Sequence, residues 1–201
     1  MSRWLIRIIL LVLALQLLAA TTGAWAGQPT AIAKEVIENA LDILQNPSYS
    51  RPEKRRMVKG VVDPHFDYRE MAKRSLGATW DTLSAGQRDE FVRLFAELLE
   101  VSYSDKIEKY AQRVKINYTG EILQGDNYAE VRTVVVRPND RIPLNYRLLH
   151  EDGTWKVYDV VIEGVSLVSN YRSQFRRIIH ESSYAELVRR LRTKVNKLRN
   201  T

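Results

Sequence analysis

The chain has 201 residues, 31 Lys and Arg against 24 Asp and Glu, a net charge of +7, and no cysteine. Without thiols there is no disulfide framework, no iron–sulfur cluster, no thiolate zinc site and no cysteine nucleophile. The basic excess favours anionic surfaces, either lipid headgroups or acidic protein faces.

Arg3 and Arg7 precede an apolar run from Ile8 to Leu18, and Ala24-Trp25-Ala26 places small residues where a signal peptidase reads. That order predicts a secretory signal peptide over 1–26. The apolar run is shorter than the ~20 residues needed to span a bilayer. A single domain of residues 27–201 is expected to remain, outside the cytoplasm and so away from nucleic acid. Losing Arg3 and Arg7 lowers its net charge to +5.

Helices come first. Thr30 is placed to cap one with the stripe Ala33, Val36, Ile37, Ala40, Leu41 and Leu44, which ends before Asn46-Pro47-Ser48. Pro52 suits the first turn of a second, with Met57, Val58, Val61 and Val62 on one side. Asp67 suits the cap of a third, with Tyr68, Met71 and Ala72 inside and Gly77 as its stop. Trp80 falls in a connection. Ser84-Ala85-Gly86-Gln87 reads as a capping box opening the longest helix. Its apolar residues from Phe91 to Tyr110 form two adjoining stripes, wider than a seat on one sheet requires.

Four strands with short turns follow. Val114, Ile116, Tyr118 and Ile122 alternate with polar residues; Tyr128–Val136, Ile142–Leu148 and Trp155–Ile162 continue an antiparallel meander. Gly164 breaks the last strand. Leu167, Val168, Tyr171, Phe175 and Ile178 then draw an apolar stripe along a helix at 165–180. A strand turning at glycine into a helix laid on its own sheet builds a wedge walled by Tyr171 and Phe175. The wedge is filled either by ordinary core or by a guest. Ser183 and Glu186 suggest another capping box, and a final helix sets Leu187, Val188, Leu191, Val195 and Leu198 against Arg189, Arg190, Arg192, Lys194, Lys197 and Arg199. The fold class is α+β, a four-stranded antiparallel meander packed with N-terminal and C-terminal helices.

Catalytic chemistry is sparse. Ser166 after Gly164-Val165 has the look of a nucleophile elbow, but Val168 stands where the second glycine belongs. Asp63, His65 and Asp67 alternate as metal ligands can, yet a turn and a helix cap account for them. Asp159 and Glu163 share a strand face, where bonding to amides at the following helix start accounts for them better than a catalytic pair. No catalytic residue and no metal ligand is assigned.

Several stretches taken together resemble the MlaC family of periplasmic phospholipid carriers of the lipid-asymmetry ABC transport system, also called toluene-tolerance proteins. They are Pro64-x-Phe66-Asp67-Tyr68 with Met71-Ala72, Leu76-Gly77-x-x-Trp80, Gln87-Arg88-x-x-Phe91, and WKVYDVVIEGVSLVSNYRSQF at Trp155–Phe175. The turn around Asn139-Asp140-Arg141 contributes nothing distinctive. The resemblance implies a soluble periplasmic shuttle holding acyl chains in an apolar cavity between sheet and helices, with phospholipid as cargo and no cofactor. It implies docking at an outer-membrane lipoprotein complex and at an inner-membrane assembly of an MCE-domain ring and an ABC transporter. Relatives tied to hopanoid lipids make another envelope lipid the alternative cargo.

Physics supports such a shape. Each methylene in water costs about 0.8 kcal/mol, so a ~15-carbon tail would cost on the order of 12 kcal/mol. The residues expected to line the cavity are Tyr68, Met71, Leu76, Trp80, Phe95, Leu98, Leu99, Tyr103, Val131, Val135, Tyr146, Val160, Ile162, Val168, Tyr171 and Phe175. Arg172, Arg176 and Arg177 are candidates for partner docking, with a solvated basic face as the plain alternative. A monomer is expected. Two rival classes remain: a small isomerase-like pocket enzyme with Asp159 as base, and a structural envelope protein whose wedge is solid core.

Overall fold

The computed structural model describes residues 27–112 and 114–200. The expected signal peptide, 1–26, lies outside the described residues. The elements run α1 (Gln28–Gln45), α2 (Arg51–Val62), a 3₁₀ turn (Asp63–His65), α3 (Tyr68–Leu76), α4 (Thr79–Thr82), α5 (Ala85–Tyr110), β1 (Lys115–Gln124), β2 (Tyr128–Arg137), β3 (Asp140–Glu151), β4 (Thr154–Ile162), β5 (Val165–Ser166), α6 (Leu167–Glu181) and α7 (Tyr184–Arg199).

Local chemistry explains most boundaries. Ser84 Oγ accepts from the Gln87 amide and the Gln87 side chain accepts from the Ser84 amide, so the expected capping box opens α5. Asp67 caps α3 through the Glu70 amide, and Gly77 ends it at φ 57°. Ser50 and Glu53 form a second box at α2, beside Pro52. Ser183 accepts from the Glu186 amide, while the Glu186 carboxylate turns outward to Arg189 and Arg190 at 2.6–2.7 Å. Thr30 does not cap α1. The helix begins at Gln28 after Gly27, and Thr30 donates, with the Gly27 amide, to the carboxylate of Glu121 on β1. A tertiary carboxylate thus replaces the local cap and pins the start of α1 to the sheet.

The sheet is antiparallel in sequential order β1-β2-β3-β4-β5, so it has five strands where four were expected. The fifth is a two-residue return: Val161 pairs with Ser166 and Ile162 with Val165. Glu163 and Gly164, both at positive φ, make the reversal. This places Glu163 in an exposed turn, apart from Asp159. Phe66 bridges to Val157 on the same outer edge of β4, and the Asp67 amide donates to the Val157 carbonyl at 2.9 Å.

Two apolar clusters result. The larger joins α3, α4, α5, α6 and α7 through Met71, Trp80, Phe91, Phe95, Leu98, Tyr171, Phe175, Leu187 and Leu191, all buried. The smaller lies between α1 and one sheet face, with Ala33 against Ala129, Val131, Leu148, Trp155 and Val157. Leu198, on the apolar side of α7, is exposed near the end of that helix.

Candidate functional site: the apolar face of the sheet

Strand register sorts the side chains into two unlike faces. One carries Glu130, Arg132, Asn145, Arg147 and Asp159. Arg132, Asn145 and Arg147 all donate to Glu130 at 3.1–3.2 Å, and Arg147 reaches Asp159 at 3.3 Å. Asp159 is 3% exposed and also accepts from Ser166 Oγ at 2.6 Å and the Val168 amide at 3.0 Å. Its carboxylate is committed to holding the start of α6, and Ser166 is the N-cap of that helix. Neither the elbow nor a free carboxylate base exists here.

The opposite face is apolar and stands in rows. Ile116, Val135 and Ile142 lie side by side; then Tyr118, Thr133, Leu144 and Ile162; then Glu121, Val131, Tyr146 and Val160; then Leu123, Ala129, Leu148 and Val157. Burial is uneven along these rows. Ala129, Leu148 and Val157 are buried beneath α1 and Phe66, and Val131 and Thr133 are buried in the next two rows, whereas Tyr146, Val160, Leu144, Ile162, Ile116, Val135 and Ile142 are only half-buried.

Three helices frame this half-covered region. The N-terminus of α1 is fixed at Glu121, and its C-terminus meets the end of α5, where Gln45 donates to the Ala111 carbonyl and Gln112 to that of Leu44. Ion pairs tie α2 to the second half of α5: Arg51 with Asp105 and Glu108, Arg55 with Asp105, and Lys59 with Glu100. The end of α5 sits over the last residue of β2, the Arg137 guanidinium lying 4.8 Å from the centre of the Tyr110 ring. No residue of α2 is buried, and its Met57, Val58, Val61 and Val62 are half-buried.

The tyrosines report a dry setting. Desolvation pushes the Tyr118 phenol up to about 12, with the Glu38 charge adding to it. Burial likewise holds the Tyr146 phenol well above its ordinary value, with the nearby Tyr118 a lesser cause, although the residue keeps accessible surface. The Tyr118 hydroxyl is buried and has no hydrogen-bond partner among the described residues.

The expected lining residues divide between these settings. Met71, Leu76, Trp80, Phe95, Leu98, Leu99, Val168, Tyr171 and Phe175 come together in the helical cluster. There Phe95 packs edge-on to Tyr171 at 5.2 Å and to Phe175 at 5.6 Å. Tyr68 and Tyr103 sit on its margin; Val131, Tyr146 and Val160 belong to the sheet cluster; Val135 and Ile162 lie on the half-covered rows. The wedge walled by Tyr171 and Phe175 is filled by Phe91 and Phe95. The apolar cavity expected between sheet and helices is not found as an enclosed void among the described residues. The two best-formed hollows are on the surface, about 440 Å³ between α5 and α7 and about 180 Å³ beside Tyr128 and Tyr158. Aromatic rings on neighbouring helices have closed that interior by meeting one another. The sheet rows add Ile116, Tyr118, Ile142 and Leu144, whose alternation was visible in sequence but whose alignment across strands was not.

Arg172, Arg176 and Arg177 are exposed on α6, with the Arg172 guanidinium lying where a Cβ on Gly77 would come within 3.2 Å. On α7 all four arginines are matched: Arg189 and Arg190 with Glu186, Arg192 with Glu90, and Arg199 with Glu97. No cluster able to hold a metal ion occurs among the described residues.

The molecule is thus of the α+β class, with one sheet face polar and stitched and the other apolar and part-covered. Comparison with known proteins gives that class its family. Residues 34–193 match the MlaC protein family, and the chain belongs to it. It is similar to the intermembrane phospholipid transport system binding protein MlaC of Haemophilus influenzae, at 26% identity over 162 residues covering 78% of this chain and 73% of that protein. Its fold is similar to that of a phospholipid-binding protein from Ralstonia solanacearum, solved in complex with a phospholipid. The TM-score is 0.76 at 22% identity, covering 84% of this chain and 97% of that one. Proteins of the MlaC family bind phospholipid as cargo and are transport proteins, not enzymes.

Proposed function

We propose that the protein is a periplasmic phospholipid carrier that takes acyl chains onto the half-covered apolar rows of its sheet, beneath α1, α2 and α5. Residues 1–26 act as the export signal, and residues 27–201 form the single lipid-binding domain. The observation that carries this reading is the incomplete cover of one sheet face, closed at Leu148 and Val157 but half-open at Tyr146, Leu144 and Ile142 beside the buried Val131 and Thr133. A row of Val, Ile and Leu left part-open wastes about 25 cal/mol for each Å² of apolar surface that stays wet. A lipid tail laid on those rows recovers that energy and shields its own methylenes. Ile116, Tyr118, Val135, Ile142, Leu144, Tyr146, Val160 and Ile162 are the contact residues in this reading, with Tyr68 and Tyr103 on the helical side. The family's transport role adds shuttling between an outer-membrane lipoprotein complex and an inner-membrane MCE-domain and ABC transporter assembly, with Arg172, Arg176 and Arg177 as the exposed docking cations.

Lipid extraction and mass spectrometry of protein purified from the periplasm tests the cargo. Diacyl phospholipid near one per chain is the expected result. Lipid-free protein that takes up none from phospholipid vesicles would overturn the reading.

A further inference from the structure

α2 is held differently from every other long helix. It has no buried residue, whereas α1, α3, α5, α6 and α7 each bury at least three. Its apolar side chains, Met57, Val58, Val61 and Val62, are half-buried and join neither the helical cluster nor the sheet cluster. Charge does the holding instead. Arg51, Arg55 and Lys59 follow one another at four-residue spacing, along one stripe of the helix. Arg51 meets Glu108 at 2.9 Å and Asp105 at 3.2 Å, Arg55 meets Asp105, and Lys59 meets Glu100 at 3.0 Å, all on the second half of α5. The three cations are 67%, 44% and 47% exposed. Pairs this exposed hold weakly and are screened by salt.

The ends of α2 are anchored where its length is not. At the start, Lys54 Nζ donates to the Leu44 carbonyl of α1 at 2.8 Å, and the preceding turn is closed by the Ser48 amide donating to Asn46 Oδ1 at 2.9 Å. At the far end, the 3₁₀ turn leads to Phe66 and Asp67, which join the edge of β4 at Val157. The helix is a strap between two fixed turns. No enclosed void lies between the layers among the described residues, so a tail reaches the half-covered rows only where a covering element moves. Three helices frame those rows. α1 is packed into the sheet cluster through Ala33 and α5 into the helical cluster through Phe95 and Leu98; only α2 is free of both.

Resting on the carrier reading, we propose that α2 is the entry strap of the lipid site, latched to α5 by the ion pairs of Arg51, Arg55 and Lys59. When the pairs part, α2 lifts from α5, and its own apolar stripe opens to an acyl tail together with the sheet rows. When they re-form, the stripe closes over the tail. Salt screens the latch, so uptake quickens as ionic strength rises.

The test uses protein purified from the periplasm and stripped of lipid, with monomeric dioctanoylphosphatidylcholine, whose zero net charge keeps salt from acting on its approach. Stopped-flow uptake should quicken about threefold between low salt and about 0.5 M salt. The triple variant Arg51→Gln, Arg55→Gln, Lys59→Gln should take up lipid about fivefold faster at low salt and lose that salt dependence. Because the chain has no cysteine, Lys59→Cys with Glu100→Cys allows the strap to be tied to α5 by a bis-methanethiosulfonate linker. Tied protein should take up lipid at least tenfold more slowly, and reductant should restore the rate. The same linker between Arg192→Cys and Glu90→Cys, across α5 and α7, should change nothing. Hydrogen exchange of the wild type reads the motion without lipid and without the triple variant: α2 amides should exchange at least tenfold faster than those of α6. A rate unchanged by salt, a tied protein that loads at full speed, or α2 amides as protected as those of α6 would each overturn the strap. Failure of wild type to bind the lipid is a different result, and removes the carrier reading and the strap with it.

Discussion

In the helical cluster Phe91, Phe95, Tyr171 and Phe175 meet ring to ring, and none is more than 5% exposed. On the sheet, Ile116, Val135, Ile142, Leu144 and Ile162 stand in aligned rows, and none is fully buried. Both regions are apolar, but side-chain reach separates them. Aromatic residues four apart on a helix project far enough to interlock with a neighbouring helix. Branched aliphatic residues on a strand are short and meet a second layer only where that layer is pressed against them. α1 presses at Ala33 and Ile37; beyond that contact the rows stay half-covered.

That contrast breaks most readily at its closed end. Phe95→Ala should cost about 3–5 kcal/mol of stability, because the cluster around it cannot collapse to fill the space. The check is a urea unfolding midpoint, and a loss below about 1 kcal/mol would mean that the helical region is as loose as the sheet face. Leu144→Asp should act the other way round. A charge on the half-open row should lower phospholipid uptake from vesicles at least tenfold, about 1.4 kcal/mol, while moving the unfolding midpoint much less than Phe95→Ala does. Full lipid uptake by this variant would place the guest elsewhere.

The smallest expected effect lies on the outer face of α7. Hydrogen bonds from Arg189 and Arg190 hold Glu186 at about 2, below the ordinary 4.5. Since the folded value is the lower one, the contribution is present above about 4.5 and is lost as pH falls toward 2. Glu186→Gln should therefore lower stability slightly at pH 6 and not at all near pH 2, read from unfolding midpoints across that range. The pair is exposed, so salt should shrink the difference. Neither lipid uptake nor the helical cluster should respond.

Much of the chain was legible from residue order because its signals are local. The Ser84–Gln87 box, the Asp67 cap, the Gly77 stop and the alternation along β1 and β3 each depend on neighbours within a turn or a pleat. The motifs from Pro64 to Phe91 and from Trp155 to Phe175 were enough to indicate the family. The start of α1 misled because its cap comes from Glu121, far along the chain. β5 escaped because two residues give no periodicity. Of Asp159 and Glu163, expected to bond amides at the following helix start, Asp159 does so at the Val168 amide, while the positive-φ turn at Glu163 and Gly164 carries Glu163 away.

Sequence by itself determined the α+β order, the thiol-free chemistry, most helix boundaries and the apolar or polar side of most elements, since these follow from spacing along one chain. Only the tertiary structure decided which apolar stripes close on one another. It sent Tyr171 and Phe175 into a filled aromatic core and left Leu144 and Ile142 part-open, because filling depends on distances between elements that spacing along the chain does not encode.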